Sequence, residues 1–275
     1  MLIIPTINRP CSSFLDMGKS KLMLFDLDGT LYLNGVLFPG VIELLEKLRG
    51  AGLRYAFLTN NSSIGPTDYY HKLKDLGLPL TPEDVFTSCE ASSLMLKTMG
   101  IGPEIYVLGT DKFRQFMQSE GFVHSYENAQ ALLVGFDTEL DYRKLTEATR
   151  LVLRGLPLYA SHPDPICPVD LPDAGLLLAY FKAAKPGTIV QGIAGKPHRW
   201  IIELIEKRFQ VHRSQIIMVG DRVNTDMRFA VNFGMCSMLV LNGNAQPELG
   251  DVKPDYIVPH INQLLDQFWP DNLAW

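Results

Sequence analysis

The sequence predicts an α/β protein: a parallel sheet flanked by helices, with a second α/β segment inserted into it. Three observations carry this. Short β-prone apolar runs alternate with helical-period segments along most of the 275 residues, the pattern of strand–helix units around a parallel sheet. Several of those runs are continuously apolar, as strands buried on both faces are. A middle region, 82–186, repeats the alternation with strands and helices of its own before the last third returns to strands.

Taken in order, "KLMLFD" (21–26) is a short apolar run that reads as a buried strand. In "LYLNGVLF" (31–38), Asn34-Gly35 between apolar pairs is the strongest short-range hairpin signal. Val41, Ile42, Leu44, Leu45 and Leu48 share one helical face, and Gly50 and Gly52 end that helix. "RYAFLTNNSS" (54–63) is a strand running into a polar loop. The middle region offers strands at 104–110, 131–137 and 156–162, with helices near 111–120, 141–154 and 173–184. The last third is expected to return to core strands at 188–195, 215–221 and 236–243, with an apolar helical stripe at Ile201, Ile202, Leu204, Ile205 and Phe209.

Composition narrows the function classes. A net charge of −5 lacks the basic face of a nucleic-acid binder, although a local basic patch can still attract a small anion. The four cysteines, Cys11, Cys89, Cys167 and Cys236, lie far apart with neither zinc-site nor disulfide-framework spacing. No segment approaches 18 uninterrupted apolar residues, and no charged n-region opens the chain, so no membrane partner is expected and the location is read as cytoplasmic. Residues 1–16 are expected to form a flexible N-terminal extension.

Chemistry gathers where strands end. Asp26 and Asp28 close the first strand, Thr59 and Asn60 the second, and Asp221 follows "QIIMVG". In open α/β sheets ligands bind beyond the carboxyl ends of the strands, so adjacent parallel strands would bring these tails to one crevice. Two carboxylates one residue apart repel, which at a strand end suggests a use for both: one as nucleophile, the other handling protons. A magnesium ion suits such oxygen ligands. "GIAGK" fails the P-loop spacing, and proline follows its lysine.

These residues carry a resemblance. "DLDGTLYLNG", "FLTNNS", "AGKP" and "GDRVNTDM" resemble, in order, the four motifs of the haloacid dehalogenase superfamily. The G-D-R-x-x-T-D form and the mid-chain insertion resemble its NagD-like, para-nitrophenyl phosphatase subgroup. The resemblance implies a Rossmann-like core of residues 17–81 and 187–275 with an inserted α/β cap of residues 82–186. It implies a Mg²⁺-dependent phosphatase of small phosphorylated metabolites, with Asp26 as nucleophile forming an aspartyl-phosphate and Asp28 as acid and base. Gly29, Thr59, Asn60 and Asn61 would bind the phosphoryl group, and Lys196 would offset its charge. Asp26, Asp221 and the Asp28 carbonyl would hold Mg²⁺, and Asp226 would orient Lys196 or metal-bound water. His162 and Asp164, in "ASHPDPICPVD", would line the roof that selects the leaving group. Sugar phosphates, phosphoglycolate, nucleoside monophosphates and pyridoxal phosphate all fit such a site. Two other readings stay open: a phosphotransferase or mutase using the same aspartyl-phosphate, and a non-catalytic phospho-signalling module. A homodimer is compatible with all of them.

Overall fold

Strand β1 (Leu22–Asp26) is buried from end to end, as its unbroken apolar run requires. The structure, a computed structural model, describes residues 21–244 and 247–268; the expected extension at 1–16 lies outside the described residues. After β1 comes the hairpin β2 (Tyr32–Leu33) and β3 (Val36–Leu37), antiparallel with Leu33 opposite Val36. Asn34 and Gly35 both take positive φ, 52° and 76°, the backbone of a type I′ turn. Helix α1 (Val41–Gly50), β4 (Arg54–Thr59), α2 (Pro66–Asp75), β5 (Val85–Thr87) and α3 (Ser88–Thr98) follow. Then come β6 (Glu104–Leu108), α4 (Asp111–Ser119), β7 (Val123–His124), β8 (Leu132–Val134), α5 (Tyr142–Arg154), β9 (Leu158–Ala160), α6 (Ala174–Ala184) and β10 (Val190–Ile193). The chain ends with α7 (Arg199–Phe209), β11 (Ile216–Gly220), α8 (Arg228–Phe233), β12 (Cys236–Val240), β13 (Tyr256–Val258) and α9 (Gln263–Phe268).

The chain divides into two compact units. The first comprises the described residues up to Leu58, Tyr70–Val85 and those from Ile205 onward. Its frame is a six-stranded sheet in the order β13-β12-β11-β1-β4-β5, with β1 parallel to both β11 and β4. Asp26, the last residue of β1, lies opposite Leu58, and Phe25 lies opposite Val219. The carboxyl end of β1 therefore sits between the ends of β4 and β11.

The second unit comprises Thr59–Tyr69 and Phe86–Leu204 around a five-stranded sheet, β10-β9-β8-β6-β7, whose neighbours are parallel. α5 and α6 pack on it through Leu151, Val152, Leu178 and Phe181. The strand read from 188–195 as part of the core belongs here instead: β10 pairs with β9, because α6 carries the chain back alongside the strand it has just left. The unit also reaches beyond 82–186. Residues after Thr59 are tied into it by Ser62 Oγ to Ser161 Oγ (2.9 Å), Ser88 Oγ donating to Asn60 O (2.5 Å) and Thr110 Oγ1 donating to Ser63 O (2.5 Å). Among the described residues no helix is long and apolar enough to cross a membrane.

Candidate active site

In the first unit three carboxylates converge. Asp26 ends β1, Asp221 follows Gly220 at the end of the neighbouring β11, and Asp226 sits in a π-helical turn, Val223–Met227. Each offers an oxygen, and these oxygens all lie within 4.8 Å of one another. Asp26 and Asp226 are buried, at 7% and 1% exposure. Thr30 Oγ1 donates to Asp221 Oδ1 (3.1 Å) and lies 3.4 Å from Asp26 Oδ2, while the Arg222 N–H donates to Asp226 Oδ2 (3.0 Å).

Burial, and then the charges of Asp26 and Asp226, hold the Asp221 carboxyl well above the usual carboxylate range. A bound cation relieves that penalty, and an all-oxygen donor set suits a hard divalent ion. The glycine of D-x-D-G-T is required here: Gly29 has φ +91°, and a Cβ on it would run into the Asp221 carboxylate.

Asp28 takes a different direction from Asp26. Its Oδ2 accepts a hydrogen bond from the Tyr32 hydroxyl (3.2 Å), and the backbone of 28 pairs with that of 32 in an isolated bridge. The Gly29–Thr30 turn is clamped by a residue that sequence reasoning did not assign to the site. Asn242 Nδ2 donates to the carbonyls of Gly29 (2.8 Å) and Thr30 (2.9 Å), and its Oδ1 accepts from Ile261 N–H (3.0 Å). The signal was an Asn-Gly pair after a strand. Asn242 takes φ 47°, a left-handed conformation that Asn tolerates better than most residues.

A separate polar group forms in the second unit. The side-chain amide of Asn60 donates to Asp164 Oδ2 (2.7 Å) and to Lys196 O (3.0 Å), and its Oδ1 accepts from Lys196 N–H (2.8 Å). Asn60, expected on phosphoryl oxygens, thus has both N–H donors occupied by protein. Gly195 is required beside it, since a Cβ there would lie 2.5 Å from Asn60 Oδ1 and 2.9 Å from Ser161 O. Thr59 is buried and accepts from Asn61 N–H through Oγ1 (3.1 Å). Asn61 Oδ1 accepts from Ser63 N–H and Oγ (2.9 and 2.7 Å), an Asx turn that shapes the loop. Lys196 is 1% exposed.

His162 is fully buried, with Nδ1 at 2.7 Å from Ser161 Oγ and Nε2 at 2.7 Å from Asp173 Oδ1. Asp173 also accepts from Ala174 N–H at the start of α6. Both ring nitrogens of His162 are therefore engaged in closing the 162–173 loop, while Asp164 joins Asn60. The structure brings Asp26, Asp221 and Asp226 together in one unit, and Asn60, Asp164 and Lys196 together in the other.

Known proteins are similar to this chain in sequence and fold. A family model described as haloacid dehalogenase-like hydrolase matches residues 23–123, and a second, HAD-hydrolase-like, matches 193–264. The chain is 31% identical to the 5′-nucleotidase YutF of Bacillus subtilis over 84% of its own length and 91% of that protein. It is 30% identical to the glycerol-3-phosphate phosphatase of Gallus gallus, covering 88% of this chain and 90% of that one. A solved 4-nitrophenylphosphatase from Thermotoga maritima superposes with a TM-score of 0.85 at 36% identity, covering 92% of this chain and 98% of the other. NagD from Escherichia coli superposes with a TM-score of 0.78 at 25% identity, over 89% and 98% respectively. With both motif-bearing segments matched and near full-length relatives at this identity, the chain belongs to the haloacid dehalogenase-like hydrolases, among their NagD-like phosphatases.

Proposed function

We propose that the chain is a Mg²⁺-dependent phosphatase of small phosphomonoesters that works through an aspartyl-phosphate on Asp26. The observation that carries this reading is the carboxylate cluster in which Asp26 and Asp221, at the ends of two adjacent parallel strands, meet Asp226 from the π-helical turn. Asp26 and Asp221, with the Asp28 carbonyl, would hold the metal, and Asp226 completes the negative shell. When bound, Mg²⁺ supplies positive charge against the carboxylates and the incoming phosphate.

Asp26 attacks phosphorus in line, forming an acyl phosphate as the P–O bond to the alcohol breaks. Asp28, protonated, gives its proton to the departing oxygen. The resulting Asp28 carboxylate then takes a proton from water, whose oxygen attacks the same phosphorus and breaks its bond to Asp26. Orthophosphate leaves and both aspartates return to their starting states. Thr59 holds phosphoryl oxygens in this reading, while Gly29, expected there as well, spends its N–H on Tyr32 O (2.8 Å) and shapes the turn instead. Lys196 offsets phosphate charge, and Asn60 keeps the Lys196 backbone in place. Phosphoryl transfer depends mainly on such positioning and charge stabilisation.

The substrate class is a small phosphomonoester: a sugar phosphate, phosphoglycolate, a nucleoside monophosphate or pyridoxal phosphate. Relatives named as a 5′-nucleotidase and a glycerol-3-phosphate phosphatase support small metabolites. The test measures para-nitrophenyl phosphate hydrolysis with Mg²⁺ and with EDTA, followed by acid-quench trapping of phosphoenzyme from radiolabelled substrate. Hydrolysis should stop with EDTA, and Asp26→Asn should abolish both turnover and label. Full activity in metal-free buffer would overturn the reading, and a panel of phosphorylated metabolites ranked by kcat/KM would name the substrate.

A further inference from the structure

The turn after β1 folds back on itself. The Leu27 carbonyl accepts from the N–H groups of Thr30 (3.2 Å), Leu31 (2.9 Å) and Tyr32 (3.4 Å), and Gly29 N–H donates to Tyr32 O (2.8 Å). This returns the fully buried Tyr32 to Asp28, where its hydroxyl reaches Oδ2 at 3.2 Å. From α2, Lys72 Nζ approaches the same phenol oxygen at 3.0 Å and lies 4.8 Å from the ring centroid. An ammonium only donates. The phenol oxygen therefore accepts from Lys72, and its own proton points at Asp28.

We infer that Tyr32 and Lys72 are positioning residues that orient the Asp28 carboxyl for proton transfer to the leaving alcohol, and so suit the enzyme to alkyl phosphates with strongly basic leaving groups. This rests on the reading of Asp28 as the acid. Rotation of a carboxyl about its last bond is soft and two-fold. Anchoring Oδ2 on Tyr32 removes that freedom and fixes the plane of the carboxyl. A positioned acid contributes ~10²–10⁴-fold, and its contribution grows with the basicity of the group that must leave. A nitrophenolate departs without help; an alkoxide does not.

The experiment measures kcat/KM, which reports the step that expels the alcohol, over a series of aryl and alkyl phosphates with Mg²⁺ present. Wild type, Tyr32→Phe, Lys72→Met, Lys72→Arg, the Tyr32→Phe/Lys72→Met double variant and Asp28→Asn are compared. Tyr32→Phe should lose ~10–30-fold on the alkyl phosphates and less than ~3-fold on para-nitrophenyl phosphate, part of what general acid catalysis supplies. Lys72→Met should show a smaller loss with the same ranking, restored by Lys72→Arg, and the double variant should be no worse than Tyr32→Phe alone. Lys72 is only half-buried, so its variants carry the test if Tyr32→Phe folds poorly. A loss common to all substrates, or additive losses in the double variant, overturns the inference. If Asp28→Asn steepens the leaving-group dependence and Tyr32→Phe does not, only the positioning role fails. If Asp28→Asn itself leaves that dependence unchanged, the acid reading fails and this inference with it.

Discussion

Replacing Asn60 by alanine removes three hydrogen bonds from the interior of the second unit. Two go to the backbone of Lys196, at 2.8 and 3.0 Å, and one to the Asp164 carboxylate, at 2.7 Å. Neutral bonds contribute about 1 kcal/mol each and one to a carboxylate about 2 kcal/mol, so the loss comes to roughly 4 kcal/mol. Asn60 is 9% exposed, which leaves water little room to replace the amide. Set against a typical stability of about 5–15 kcal/mol, this is a large fraction. Asn60→Asp keeps an acceptor for the Lys196 N–H but faces Asp164 with a like charge, and should be destabilised at least as much. Urea denaturation followed by circular dichroism reads the loss, and hydrogen exchange at the Lys196 amide localises it. A loss below ~1 kcal/mol, with that amide still protected, would show that the bridge holds nothing and that Asn60 is free to serve a substrate.

His162→Ala leaves a cavity and takes one hydrogen-bond partner each from Asp173 and Ser161, so the midpoint of urea denaturation should correspond to a loss of ~2–4 kcal/mol; an unchanged midpoint refutes the clamp. Asp164→Ala should shift kcat/KM unequally across a substrate panel while the orthophosphate inhibition constant stays close to wild type; a common factor for every substrate refutes a role in selectivity. His124 packs its ring on Tyr106 and accepts from Val107 N–H through Nδ1 (3.1 Å); burial first, then Arg114, depresses its pKa to about 4. The unfolded chain then binds the extra proton first, so this stability is present above about pH 6.5 and is lost as pH falls toward 4. Tm should drop less over that window in His124→Gln, and equal drops refute the assignment.

Local signals carried most of the fold. β1 was legible because four consecutive apolar residues, Leu22 to Phe25, fit a doubly buried strand, and the hairpin because Asn34-Gly35 favours the positive φ values of its turn. What escaped was non-local. Nothing in "TIVQGIAG" distinguishes a strand beside β11 from one beside β9, since both environments ask for the same short apolar run. Helix α3, at 88–98, is absent from the helices expected from the sequence; it buries Ser88, Ser92 and Ser93 alongside Met95 and Leu96. A helix buried through small hydroxyl residues hides its apolar stripe from a count of hydrophobic side chains.

The site divided along the same line. Asp26, Asp28 and Asp221 announce themselves because a charge at the end of an apolar strand costs desolvation and needs a reason. Asp226 was read as a partner of Lys196 or of metal-bound water, four residues into a helix-like segment. Its place in the carboxylate cluster depends on the π-helical turn at Val223–Met227, whose wider winding is not written in composition. The supporting residues are harder still. Tyr32, Lys72 and Asn242 are ordinary residues at ordinary positions, and each matters only through an oxygen or carbonyl it meets after folding. His162 shows the converse: a histidine beside prolines in a loop looked like a substrate contact, yet both nitrogens close that loop on Ser161 and Asp173. Charge that must be justified can be found from sequence; the neutral donors that hold it in place become visible only when their partners are known.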